Sequence, residues 1–102
     1  MKIVNFSENN SELNRFVAEL RDINIQGDRL RFRKNLERIG EIISYELSKD
    51  LHYSPKEIKT PLGIISINTS DDKLVLGTIL RAGIPFHQGF LNYFDNAENA
   101  FV

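Results

Sequence analysis

Apolar residues recur along this chain with two different periods, and the change of period divides it in half. Leu13, Phe16, Val17 and Leu20 fall on one face of a helix, which predicts a first helix over residues 11–22 with Ser11 or Asn10 as its N-cap. Residues 24–28 contain Gly27 and read as a turn, from which Asp28 caps a second helix. That helix has the most regular stripe: Phe32, Leu36, Ile39, Ile43, Leu47 and Leu51 recur at intervals of three and four, which predicts residues 31–51. Ile42 widens the stripe, and Arg33, Lys34, Glu37, Arg38, Glu41, Ser48 and Lys49 occupy the opposite face.

Beyond residue 55 the helical period disappears. Glu57, Ile58, Lys59 and Thr60 on one side, and Ile64, Ile65, Ser66, Ile67 and Asn68 on the other, flank Pro61, Leu62 and Gly63, which predicts a β-hairpin over 56–68. After a polar turn, Leu74, Val75, Leu76, Ile79 and Leu80 form a nearly continuous apolar run. This predicts a strand over 74–80 covered on both faces, as in parallel α/β sheets. A helix over 85–94 follows, opened by Pro85 and turning Phe86, Phe90, Leu91 and Phe94 inward. Gly89 within it costs roughly 1 kcal/mol relative to Ala, a cost that close packing against a strand would explain. Ala100, Phe101 and Val102 read as the opening of another buried strand. The first ten residues are polar apart from Ile3, Val4 and Phe6, and fit a short edge strand or a loosely held arm.

At 102 residues the chain makes at most one domain with one modest core. A hydrophobic content of 41%, a charged content of 26% and a net charge of −1 describe an ordinary globular chain. The absence of cysteine excludes disulfides, thiolate zinc sites and a cysteine nucleophile, and is compatible with a cytoplasmic setting. No basic start followed by an apolar run suggests a secretory signal, and no segment reads as a membrane span.

Candidate chemistry concentrates after the apolar strand. Arg81 supplies a fixed charge and a fork of donors, Gly83 permits close backbone approach, and the N–H groups opening the next helix suit an anion at the carboxyl end of a strand. Neither G-x-x-x-x-G-K-[ST] nor G-x-G-x-x-G occurs. The plain alternative is a strand-turn-helix with a structurally paired arginine. His87 and His52 read as packed or solvated residues before ligands, and Asp71 and Asp72 as a solvated turn before a metal site. Arg29, Arg31, Arg33, Lys34 and Arg38 form the densest basic cluster. Glu37 and Glu41 neutralise part of it and no aromatic platform accompanies it, so no nucleic-acid partner is expected.

Ile79, Leu80, Arg81, Ala82 and Gly83 are similar to the pyrophosphate loop of uracil phosphoribosyltransferases, and further landmarks agree in order. Leu20, Arg21 and Asp22 resemble an early Leu-Arg-Asp of that family, and Phe32 and Arg33 the start of its long second helix. Tyr45 and Glu46, Asp50 and Leu51, and the turn Thr60, Pro61, Leu62, Gly63 resemble three more. The resemblance implies the N-terminal part of a type I phosphoribosyltransferase α/β fold: two helices, a β-hairpin arm, a core parallel strand, the pyrophosphate loop over 80–84 and a helix. It also implies transfer of ribose 5-phosphate from phosphoribosyl pyrophosphate to uracil, giving uridine monophosphate and pyrophosphate in pyrimidine salvage, with magnesium accompanying the donor. Arg81, Ala82, Gly83 and Ile84 are then the donor-binding residues.

Other expectations rest on the same resemblance. A cis peptide is expected within the loop, at the Arg81 to Ala82 link. Ile58, Pro61, Leu62 and Ile64 are expected to join copies into a dimer or larger assembly. Gln88 stands where the family commonly has an acidic residue. The family's ribose-phosphate and uracil segments and a second donor-binding arginine have no counterpart in this sequence, so no complete catalytic set is present and no metal site is expected. The expectation is an incomplete domain, inactive alone; the alternative is a non-catalytic anion-binding or assembly module that keeps the loop.

Overall fold

The computed structural model describes residues 4–102, the side chain of Ser7 excepted. Residues 1–3, including Ile3, lie outside the described residues, and Phe6–Glu8 forms a short 3-10 turn where a strand or arm was expected. Helix α1 spans Leu13–Arg21. The N-cap is Glu12, not Ser11 or Asn10, and it makes no side-chain cap bond; the Ser11 hydroxyl accepts the Leu13 N–H at 3.3 Å from one residue further back. Helix α2 spans Arg29–Ser48, opened by the Asp28 carboxylate, which accepts the Arg31 N–H at 3.0 Å. It stops short of residue 51 because the chain tightens into i→i+3 bonds, Asp50 N–H to the Leu47 carbonyl at 3.0 Å and Leu51 N–H to that of Ser48 at 3.2 Å.

Strands β1, Ser54–Thr60, and β2, Gly63–Thr69, pair antiparallel with Ile58 opposite Ile65 and Lys56 opposite Ile67. Gly63 adopts φ 141°, a value that side chains rarely allow, and the Thr60 hydroxyl donates to its carbonyl at 2.7 Å. Strand β3, Val75–Thr78, helix α3, Ile84–Leu91, and strand β4, Glu98–Phe101, form a βαβ unit whose strands pair in parallel. Helix α3 ends before residue 94 for the reason α2 does: the Tyr93 N–H reaches the Phe90 carbonyl at 3.1 Å, a tightened last turn.

Three expectations about packing change. First, β3 is not covered on both faces: Val75 is 65% exposed and Ile79 76%, because α3 lies on one face only and α2 packs on α3 rather than on the sheet. Ile79 and Leu80 belong to the loop after the strand. Second, the expected buried strand near residue 100 is β4, and all four of its residues are exposed. Third, Gly89 packs on a helix and not on a strand. A Cβ there would collide with the Glu37 carbonyl and come within 2.7 Å of the Glu41 nitrogen, both on α2.

Polar side chains fill much of the core. Among the described residues, the buried hydrophobic ones are Leu13 and Ile39, while Asn35, Ser44, Thr78 and His87 are buried as well. Asn35 donates to the Glu19 carboxylate at 2.8 Å and accepts from Arg38 at 3.1 Å, joining α1 to α2. The chain exposes 8225 Å², against about 5,900 Å² for a compact monomer of its mass. Its radius of gyration is 16.8 Å, against about 13 Å for a compact domain of this length. The β1–β2 hairpin accounts for part of this: it stands away from the helices with Leu62 fully exposed and Ile64, Ile65 and Ile67 largely so.

Candidate functional site

The candidate loop is shaped from both of its ends. At its start the parallel ladder continues past β3, with Val102 N–H donating to the Thr78 carbonyl and Leu80 N–H to the Val102 carbonyl, each at 2.9 Å. At its finish Gly83 is the N-cap of α3 and Pro85 lies in the helix's first turn, where a missing N–H leaves nothing unsatisfied. The cis peptide joins Leu80 to Arg81, one bond before the expected Arg81 to Ala82 link. The Arg81 carbonyl belongs instead to the turn into the helix, accepting the Ile84 N–H at 3.1 Å.

Arg81 is exposed, and its guanidinium has no hydrogen-bond or ion-pair partner among the described residues. Of the backbone donors expected to face an anion, Gly83 N–H turns to the Ile79 carbonyl at 3.2 Å and Ile84 N–H to Arg81. The N–H groups of Arg81 and Ala82 have no such partner among the described residues. Gly83 has αR geometry at φ −74°, and a Cβ on it would stand 2.8 Å from the Ile79 carbonyl oxygen and 2.9 Å from Thr78 Cγ2. The close approach it makes is to the end of β3.

Behind the loop lies a network that periodicity did not reveal. His87 is buried, with Nδ1 against the Thr78 hydroxyl and Nε2 2.8 Å from Asn99 Oδ1. The packed reading of His87 therefore describes it, and Thr78 and Asn99 join it from strands β3 and β4. The available signal was the i, i+2 alternation that places Leu76 and Thr78 on one face of the strand. Gln88 faces away from the loop: it donates to Asn92 Oδ1 at 2.8 Å, and Asn92 in turn donates to Glu37 at 2.9 Å and Glu41 at 2.7 Å on α2.

Several of the remaining candidates have structural partners. Asp72 accepts the His52 N–H at 2.9 Å, and this bond, with help from the His52 ring and Ser70, holds its carboxyl below the ordinary range. The His52 ring itself is exposed. Of the basic cluster, Arg31 pairs with Glu19 at 3.2 Å and Lys34 with Glu37 at 3.6 Å, while Arg38 donates to Asn35 at 3.1 Å. Among the described residues no three His, Cys, Asp or Glu side chains converge on a metal position, and no helix is long and apolar enough to cross a membrane.

Comparison with known proteins agrees with this geometry. The uracil phosphoribosyltransferase family model matches residues 7–102. The chain is 55% identical over 102 residues to a uracil phosphoribosyltransferase of Porphyromonas gingivalis, covering all of this chain and 47% of that protein. It is 39% identical over 87 residues to the enzyme of the same name from Sulfolobus acidocaldarius, covering 81% and 39% respectively. The solved structure of AQ2163 protein from Aquifex aeolicus superposes with a TM-score of 0.76 at 29% identity, over 91% of this chain and 44% of that one. The chain thus spans about half the length of the curated relatives it matches, and with the strand, loop and helix in place it belongs to the uracil phosphoribosyltransferase family.

Proposed function

We propose that the loop over 80–84 binds the pyrophosphate of phosphoribosyl pyrophosphate in a protein that transfers its ribose 5-phosphate to uracil. The products are uridine monophosphate and pyrophosphate, as in pyrimidine salvage in the cytoplasm. The observation that carries this reading is Arg81: an exposed guanidinium, without a partner among the described residues, in a loop braced between a parallel strand and a helix N-terminus. As the bond from the anomeric carbon to the pyrophosphate oxygen breaks, negative charge grows on the leaving group. The Arg81 side chain closes on that charge, beside the N–H groups of Arg81 and Ala82. Gly83 and Ile84 contribute by closing the turn, their N–H groups bonded within it.

Magnesium accompanies such a donor on its phosphate oxygens, but the described residues gather no carboxylate set to hold it and no step here runs through it. The 102-residue chain brings one anion loop to this reaction, and alone it is expected to turn over no uracil. The hairpin is proposed to join two copies through Ile58, Pro61, Leu62 and Ile64. Ile58, Ile65 and Ile67 share one face of its ladder, and Ile64 lies on the other.

Calorimetry with inorganic pyrophosphate tests the loop. Binding by the wild-type chain and its loss in Arg81→Ala are expected; equal binding by both removes Arg81 as an anion ligand. Uridine monophosphate formation by the chain alone would overturn the expected inactivity.

A further inference from the structure

His87 touches both ends of the loop. Its backbone N–H donates to the carbonyl of Gly83, the last loop residue, at 2.8 Å, and its ring meets the hydroxyl of Thr78, the residue before the loop. The orientation of Asn99 sets the direction of the relay. Asn99 Nδ2 donates to the Ala97 carbonyl at 3.3 Å, which turns Asn99 Oδ1, an acceptor, toward His87 Nε2 at 2.8 Å. We assign the hydrogen to Nε2 on that ground, so that Nδ1 accepts the Thr78 O–H, an assignment that ring ¹⁵N shifts decide. The direction of donation is continuous from Thr78 through the imidazole to Asn99 and Ala97, and each bond of such a chain polarises the next.

This relay bears on the loop's shape. With its hydroxyl held by His87, Thr78 presents Cγ2 to Gly83, 2.9 Å from where a Cβ would stand. The ring is tilted against Phe101 at 5.2 Å between centroids, so β3, α3 and β4 all bear on it. We propose that His87 is a positioning residue for the anion loop, one that clamps Thr78 to Gly83 and so sets where Arg81 and Ala82 present their donors. The proposal rests on the loop being the pyrophosphate site.

Two measurements on this chain test it. Imidazole ¹⁵N NMR of the wild type is expected to show an Nε2-protonated ring with Nδ1 as a hydrogen-bonded acceptor; an Nδ1-protonated ring overturns the relay. In pyrophosphate calorimetry, Thr78→Val keeps the side-chain shape and removes the hydroxyl, and is expected to weaken binding severalfold, because the loop then has to be ordered on the ligand. Thr78→Ser restores the hydroxyl and is expected to bind within about twofold of wild type. If Thr78→Val binds as wild type does while Arg81→Ala has lost binding, the positioning role falls and the loop reading stands. Thr78→Ser binding as weakly as Thr78→Val likewise overturns the role, because volume and not the hydroxyl then matters. A wild type without pyrophosphate binding, or an Arg81→Ala that binds equally, removes the loop reading and this inference with it.

Discussion

Gly40 on α2 and Gly89 on α3 meet backbone to backbone, with Gly89 Cα 3.2 Å from where a Cβ on Gly40 would stand. In an isolated helix, replacing either with Ala would favour helicity by roughly 1 kcal/mol. Here a Cβ at Gly40 collides with the Phe86 carbonyl and one at Gly89 with that of Glu37, and backbone cannot give way as a side chain can. Gly89→Ala is therefore expected to lose about 1 to 3 kcal/mol in urea unfolding, the cost of overpacking. A stabilised variant would show that the helices separate freely.

The bond between Asn35 and Glu19 predicts a coupled loss. Asn35→Ala removes the amide that chiefly holds the Glu19 carboxyl below its ordinary value, Arg31 adding less. Stability is expected to fall, because the buried Asn35 amide no longer joins Glu19 to Arg38. Carboxyl NMR should show Glu19 titrating closer to the ordinary glutamate value. An unmoved titration would assign the shift to Arg31.

These two contacts show what patterning conveys and what it leaves out. The stripe from Phe32 to Leu51 and the Asp28 cap follow from local rules, and both elements form where those rules put them, to within a few residues. Asn35 and Gly40 lie on that buried face, at helical-neighbour spacing from Phe32, Leu36, Ile39 and Ile43, but neither is apolar and neither marks its partner. Their roles depend on α1 and α3 arriving from elsewhere in the chain, so no window around either residue contains the signal. The apolar run from Leu74 to Leu80 conveyed a parallel strand correctly, but how many of its faces are covered depends on what packs there, and in this chain one helix does. Arg81 was legible from its place after that strand, whereas the clamp behind it joins residues of three elements.

Asp72 predicts an acid-sensitive loop contact. Its carboxyl sits below the ordinary aspartate value of 3.8, chiefly because the His52 N–H is bonded to the charged form. A depressed folded-state value means that the contact stabilises above the ordinary value and is lost as pH falls through the lowered one. Protection of the His52 amide, relative to intrinsic exchange, should fall over that range in the wild type. In Asp72→Ala, which removes the acceptor, it should already be absent, with no pH-dependent step. Retained protection in Asp72→Ala would assign the latch to other atoms.

For the hairpin, the proposed contact is tested at its own residues. Leu62→Lys and Ile64→Lys change two of the four proposed interface residues, and both side chains are exposed in the single chain. Light scattering is expected to show a dimer or larger assembly for wild type and the mass of one chain for the double variant. A wild type already at the mass of one chain would remove the proposed hairpin interface.

The bonds between Leu80 and Val102 also bear on the order in which the chain acquires its shape. The helices and hairpin close contacts among near neighbours, which form early and locally, whereas the loop's first residues are held by a partner far along the sequence. The loop that presents Arg81 is thus completed only once β4 has docked beside β3. An anion ligand present during folding would meet a finished receptor late, after the scaffold around it is already in place.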